Sequence, residues 1–433
     1  MTDAAVDTRP AKPSDEPLKV DLDRLRGDLL GFAQIGCKED DNGTHGIYRS
    51  GFSDADMEAR RWLLSLIEQA GGQARLDEAG NVVGRWFDDV TAPAVVVGSH
   101  IDSVPAGGIF DGTLGVVAGL ECARVLRESG LRPKHPLELV AFADEEGRFG
   151  GMFGVQAYCG KTTLDWINNA HDVNGVRLAD AMRSQGFDPN QALNAARKPE
   201  NIHRFVELHI EQGPVLEKEG LEIGVVEGIS GVFKWVVRLI GRANHAGTAP
   251  MDMRSDAFMG LADFAHEIPR IIEEDGTDKS RITVGKVELK PGYPHTVPGE
   301  VEFSIVGRDM SGEVMHALAD SCRKVLSSIA RRHRLHFDFE ELSWLDPAPC
   351  HPSVVSMFCK QAERLGYSHI VMPSGAGHDT QFMTEVTQAG MIFVPSIGGV
   401  SHAPNEWTNW SDIENGGNLL LNTIYAYLTG EDD

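Results

Sequence analysis

Residues 94–130 read AVVVGSHIDSVPAGGIFDGTLGVVAGLECARVLRESG, and this stretch decides the fold class. Residues 94–97 are an unbroken apolar run, as expected of a strand buried on both faces. A glycine-rich loop follows, then a helix of small residues from Thr113 that stops at Gly130. The same grammar recurs on either side. Residues 54–70 carry helix-type apolar spacing closed by Gly71 and Gly72. LELVAFA at 137–143 is a second buried strand and FVELHIE at 205–211 a third. Short apolar strands alternating with helices predict an α/β fold with a mostly parallel sheet covered by helices.

The pattern changes near Gly228. WVVRLIGRA (235–243), RITVGKVEL (281–289) and VEFSIVGRD (301–309) alternate more, and two helical stretches fall at 255–274 and 311–333. In the second, Val314, Leu318, Cys322, Val325 and Ile329 make one apolar stripe. Strands on one side and two helices on the other predict a small α+β sandwich. After Leu342 the α/β style returns, with a helix at 353–366 and a strand at 391–396. The expected organisation is a disordered lead-in at 1–18, a discontinuous main domain at 19–227 and 343–433, and an inserted domain at 228–342.

Composition narrows the function. The 433 residues exceed what one core usually supports. Lys plus Arg number 40 against 64 Asp plus Glu, a formal charge of −24, which disfavours nonspecific binding to nucleic acid or an anionic membrane. Cys37, Cys122, Cys159, Cys322, Cys350 and Cys359 include no CxxC pair and read as free thiols in a reducing compartment. The polar opening lacks the apolar segment of a signal peptide, and no apolar run is long enough to span a bilayer. A cytoplasmic location is expected.

Chemistry gathers at strand ends, where ligands bind in open α/β sheets. His100 ends the first strand, and Asp102 shares its face if the strand continues, so that a carboxylate holds one imidazole nitrogen while the other binds metal. Asp111 opens the next helix, either as a ligand or as its N-cap. Glu145 and Glu146 follow the second strand as an adjacent pair. In a partly buried site they need a cation or a shared proton; on the surface they are an acidic turn. His209 lies at the third strand end and His402 after a fourth. Three imidazoles and two carboxylates exceed what one catalytic zinc takes and suit two divalent ions roughly 3.5–4 Å apart that share a water.

Six segments carry a family resemblance: GSHIDSVPAGGIFDG (98–112), ADEEGRFGG (143–151), ELHIEQGPVLE (207–217), GRANHAGTAPMDMRSDA (241–257), SGAGHDTQFM (374–383) and PSIGGVSHAPNE (395–406). In this order they resemble the motifs of the M20 metallopeptidase/amidohydrolase superfamily, and more narrowly its hydantoinase/carbamoylase branch. That branch contains N-carbamoyl-L-amino-acid hydrolases, allantoate amidohydrolases and β-ureidopropionases. The resemblance implies that His100 and His209 hold one metal, Glu146 and His402 the other, that Asp111 bridges them, and that Glu145 is the general base. It implies zinc first, with manganese, cobalt or nickel suiting the same ligands. It further implies that the inserted domain is a lid and a homodimer interface, from which His245 stabilises the oxyanion, often across the dimer.

Arg308 matches an arginine that binds the substrate carboxylate, and Gln212 another substrate contact. Ser374, Gly375 and Gly377 match a glycine-rich substrate loop, in which His378 and Asp379 either take part or support the fold. Two positions depart from the pattern, both near the substrate anchor. His295 stands where an asparagine is usual, and Val306 where an acidic residue is usual.

The implied activity is hydrolysis of a linear C–N amide or ureido bond in a small carboxylate substrate, an N-carbamoyl-L-amino acid or an allantoate-like compound. An N-acyl amino-acid deacylase, a dipeptidase or an aminopeptidase would use the same metals, and a silent metal-binding scaffold is a reading from another class. No GxSxG elbow supports a serine hydrolase.

Overall fold

The computed structural model describes residues 16–39 and 43–431. Most of the expected lead-in therefore lies outside the described residues. From Leu18 the chain is tied down: Leu18 and Val20 donate their backbone N–H groups to the Asn422 and Asn418 side chains.

Strands β1 (Gln73–Leu76), β2 (Val82–Trp86), β3 (Ala94–His100), β4 (Leu137–Phe142), β5 (Ile202–Ile210) and β6 (Ile223–Ile229) precede a second sheet. That sheet is built from β7 (Gly231–Ile240), β8 (Arg281–Lys290), β9 (Glu300–Asp309) and β10 (His336–Leu345). Strands β11 (Ala348–Pro349), β12 (His369–Ser374) and β13 (Ala389–Val394) return to the first. The main helices are α1 (Leu22–Phe32), α2 (Asp54–Gln69), α3 (Thr113–Glu128), α4 (Ala257–Asp275), α5 (Gly312–His333), α6 (Pro352–Leu365) and α7 (Trp410–Thr429).

The nine-stranded sheet runs β11-β6-β13-β5-β3-β4-β2-β1, with β12 paired to β6. Its central strands β13, β5, β3 and β4 are parallel, as the apolar runs predict. Antiparallel pairings flank them. Every residue of β3 and of β4 is buried. Val95 and Val97 join the core formed with α1, α2, α3, α6 and α7, while Val96 and Val140 face the opposite cluster with Phe205 and Tyr158. Each such side chain contributes about 1.5–3 kcal/mol by leaving water.

The second sheet has the order β8-β9-β7-β10. Phe233, Trp235, Val237 and Leu239 of β7 alternate inward and pack with Val301, Phe303 and Ile305 against α4 and α5. Strand β10 continues to Leu345, past the expected end of the inserted segment at 342. On α5 the buried stripe is Met315, Leu318, Cys322, Leu326 and Ile329, so Val314 and Val325 sit at its edge rather than its centre. The six cysteines form no disulfide, and Cys37 is exposed. Among the described residues no helix is long and apolar enough to cross a membrane.

One buried cation ties the layers together behind the site. Arg49 is 1% exposed and donates from Nε to the Ile101 carbonyl, from Nη1 to the Phe32 and Ile35 carbonyls, and from Nη2 to Thr113 Oγ1. It thus fixes the chain just after His100 and just after Asp111. Replacing Arg49 with Met strands those acceptors in the core. Urea denaturation is expected to show a loss of about 3 kcal/mol or more, with R49K restoring only part because an ammonium's donors radiate from one nitrogen and cannot span acceptors reached from three.

Candidate active site

Four parallel strands deliver their C-terminal ends to one place. His100 is the last residue of β3, and its Nδ1 bonds the main-chain carbonyl of Asp102 at 3.0 Å. His209 lies near the end of β5, with Nδ1 on the Ile210 carbonyl at 2.9 Å. In both rings the hydrogen bond at Nδ1 leaves Nε2 to face the site. Asp111 sits between them. Its Oδ1 is 3.2 Å from His209 Nε2 and 3.8 Å from His100 Nε2, and its Oδ2 is 3.1 Å from His402 Nε2. Glu146 Oε2 lies 3.5 Å from the same His402 nitrogen. Two clusters of metal-type donors result, His100–Asp111–His209 and Asp111–Glu146–His402, with Asp111 common to both. Glu145 Oε2 is 3.6 Å from His100 Nε2.

Two details differ from the sequence expectation. His100 Nδ1 bonds the main-chain carbonyl of Asp102, and the Asp102 carboxylate stands farther off, with Oδ1 3.8 Å from that nitrogen. It accepts instead from the backbone N–H groups of Glu145 and Glu146, at 3.2 and 3.1 Å, and so fixes the acidic turn. Asp111 is not the N-cap of α3. That position belongs to Gly112 at φ +60°, where an added Cβ would lie 2.4 Å from the His100 ring. Only glycine fits there.

The electrostatics follow from crowding. Burial works to raise Asp111, but hydrogen bonds from His209 and His402 outweigh it and hold the carboxyl well below its usual range. Burial opposes the charged His209 ring, yet Asp111 lifts it to about 9. The same carboxylate lifts His402 to about 9. His100 is pushed down to about 4 by burial. Burial and then Asp111 raise Glu146 to about 8, while burial, Asp379 and Glu146 raise Glu145 well above its ordinary value. A set of imidazole and carboxylate donors, buried together and short of positive charge, fits divalent cations on donor chemistry.

These residues line a cavity of about 860 Å³, whose far wall is β7, β9 and β10 of the second sheet. Gln212, Arg308, Gly377 and His378 also line it. Gln212, at φ +57°, donates Nε2 to Asp111 Oδ2 and to Ser401. Asp144, Met152 and His402 also have positive φ, so the backbone around the site holds conformations that side chains disfavour. Ser374 is buried behind the wall, accepting from His378 Nε2, while Gly375 is exposed and off the cavity. His245 and His295 are not brought in. His245 is exposed on the short ribbon pairing Asn244–His245 with Thr296–Val297, His295 is exposed in the turn just before Thr296, and neither lines this chain's cavity.

Several supports went unread in the sequence. Buried Glu406 accepts from the backbone of Phe110 and Asp111 and from Ser401 Oγ, clamping Asp111 to the His402 loop. Glu207 joins β3 to β5 by accepting from Ser99 Oγ and from Thr380. Their signals were present: Glu406 closes the segment holding His402, and Glu207 lies two residues before His209.

Residues 96–426 match the peptidase family M20/M25/M40. An N-carbamoyl-L-amino-acid amidohydrolase from Paenarthrobacter aurescens is 39% identical over 386 residues, spanning 88% of this chain and 93% of that protein. An allantoate amidohydrolase from Bacillus subtilis is 34% identical over 397 residues, 91% of this chain and 95% of that one. The crystal structure of a hydantoinase/carbamoylase family amidase from Burkholderia multivorans has a TM-score of 0.87 at 33% identity and covers 95% of this chain and 98% of its own. With the strand-end donors and the two-sheet architecture, these likenesses place the chain in peptidase family M20/M25/M40, in its hydantoinase/carbamoylase branch of hydrolases.

Proposed function

We propose that the protein hydrolyses the linear C–N bond of a ureido substrate, an N-carbamoyl-L-amino acid or an allantoate-like compound. The carrying observation is the Asp111 carboxylate shared between two donor groups, with Glu145 beside them and Arg308 across the cavity. The relatives' activities on N-carbamoyl amino acids and allantoate support the substrate class.

His100, His209 and Asp111 would hold one divalent ion, and Asp111, Glu146 and His402 a second. Ions there would acidify a bound water and polarise the scissile carbonyl. Glu145 takes the proton from the attacking water and delivers it to the leaving nitrogen. Arg308 pairs its planar fork with the substrate carboxylate, while Gln212 and the Ser374–Gly377 loop orient the rest. His245, with His295 beside it, reaches a cavity from a second copy of the chain docked through the second sheet, and there donates to the developing oxyanion.

Two experiments test this. Metal-free protein titrated with zinc or manganese gains stability by mass action, about 2.7 kcal/mol at a hundredfold excess over Kd, seen as a rise in Tm. Paired H100A and H209A substitutions remove most of that rise. In an ammonia-release assay over N-carbamoyl-L-amino acids and allantoate, set beside N-acetyl amino acids and dipeptides, the ureido compounds are expected to turn over fastest. E145Q is expected to lose roughly 10²–10⁴-fold in kcat while keeping its metal. Unchanged turnover in that variant, or preference for dipeptides, overturns the reading.

A further inference from the structure

The cavity has two poles of opposite character. Asp111, Glu145 and Glu146 lie at one end, and the second sheet presents Arg308 and Lys234 at the other. Both cations stand on the face of that sheet turned away from its core, since β7 and β9 alternate with buried Phe233 and Trp235, and with buried Ile305 and Asp309. Register brings them together. Arg308 pairs with Val232 and Val306 with Lys234, so Lys234 is the diagonal neighbour of Arg308, roughly 7–8 Å away between Cα atoms.

Among the described residues no acidic side chain neutralises either cation. The residues facing Lys234 across its two ladders are Val306 and Ser343, neither of them acidic. Among the described residues neither Lys234 nor Arg308 forms an ion pair, and burial lowers Arg308 with no carboxylate to offset it. In a chain of formal charge −24, two unpaired cations side by side on a cavity wall are a specific feature. One carboxylate saturates the fork of Arg308, which leaves Lys234 for a second anionic group.

From this we infer that Lys234 is a specificity-determining residue, and that the substrate carries two carboxylates: a ureido acid whose side chain ends in a second carboxylate beside the one on its α-carbon. The inference rests on the proposed ureidohydrolase reading and names the substrate class within it. Lys234 reads the second carboxylate as a flexible point charge, whereas Arg308 fixes the first in a plane.

The test compares kcat/KM for N-carbamoyl-L-glutamate and N-carbamoyl-L-aspartate with that for N-carbamoyl-L-alanine. The wild type is expected to favour a dicarboxylate at least tenfold. K234M should collapse that ratio by tenfold or more, mainly through KM. K234R should recover most of it, and K234E should drive the ratio below that of K234M. Raised salt should shrink the wild-type ratio and leave that of K234M flat. A wild type that prefers the alanine compound, or a K234M variant that slows all three substrates equally, overturns the inference while leaving ureido hydrolysis standing. Failure of every ureido compound, with dipeptides or N-acetyl amino acids cleaved instead, overturns the underlying reading as well.

Discussion

Negative charge crowded into a dry place is the constraint on which the rest of this structure depends. Asp102, Asp111, Glu145 and Glu146 are buried or nearly so at neighbouring strand ends, and none can be charged there without help. Each receives a different kind. Asp102 is given two backbone N–H groups, Asp111 is given two imidazoles and the Gln212 amide, and the glutamates are left short. That unequal treatment of chemically similar side chains separates a fixed support and a bridging ligand from groups free to bind or to carry protons.

The parallel sheet makes such crowding possible. Parallel strands send their carboxyl ends to one edge, and covering helices exclude water up to that edge. Arg49 and Glu406 then hold the two loops that would otherwise relax apart, one from behind through carbonyls and one through the backbone N–H groups of Phe110 and Asp111. The second sheet contributes the opposite sign. Its exposed face supplies the cations of the cavity wall, while its other face is an ordinary apolar core.

Much of this was readable from sequence for a physical reason. A strand buried on both faces has no business ending in His or Glu-Glu unless the end has work to do, so His100, Glu145, Glu146 and His209 stood out. The central parallel strands were readable for the same reason, as continuous apolar runs. Strand β10 was not, because HFDFEELSWL is mostly exposed and its charges resemble a loop. Periodicity puts Asp102 beside His100, where its carboxylate stands 3.8 Å away, but cannot say that the main-chain carbonyl takes the hydrogen bond. Arg49 and Lys234 were missed because their roles come from tertiary neighbours: carbonyls distant in sequence for one, and a cross-strand valine for the other.

The chain enters and leaves the second sheet at almost the same point. Strand β6 hands over to β7 through Ser230 alone, and the return after β10 pairs Ala348 with Ile229 and Pro349 with Gly228. Two crossings one ladder rung apart behave as a single pin. They join the two layers at one place, residue 230 and its neighbours at 346–347. The distance between the cationic wall and the acidic end is therefore fixed at a junction that contributes none of the reacting groups.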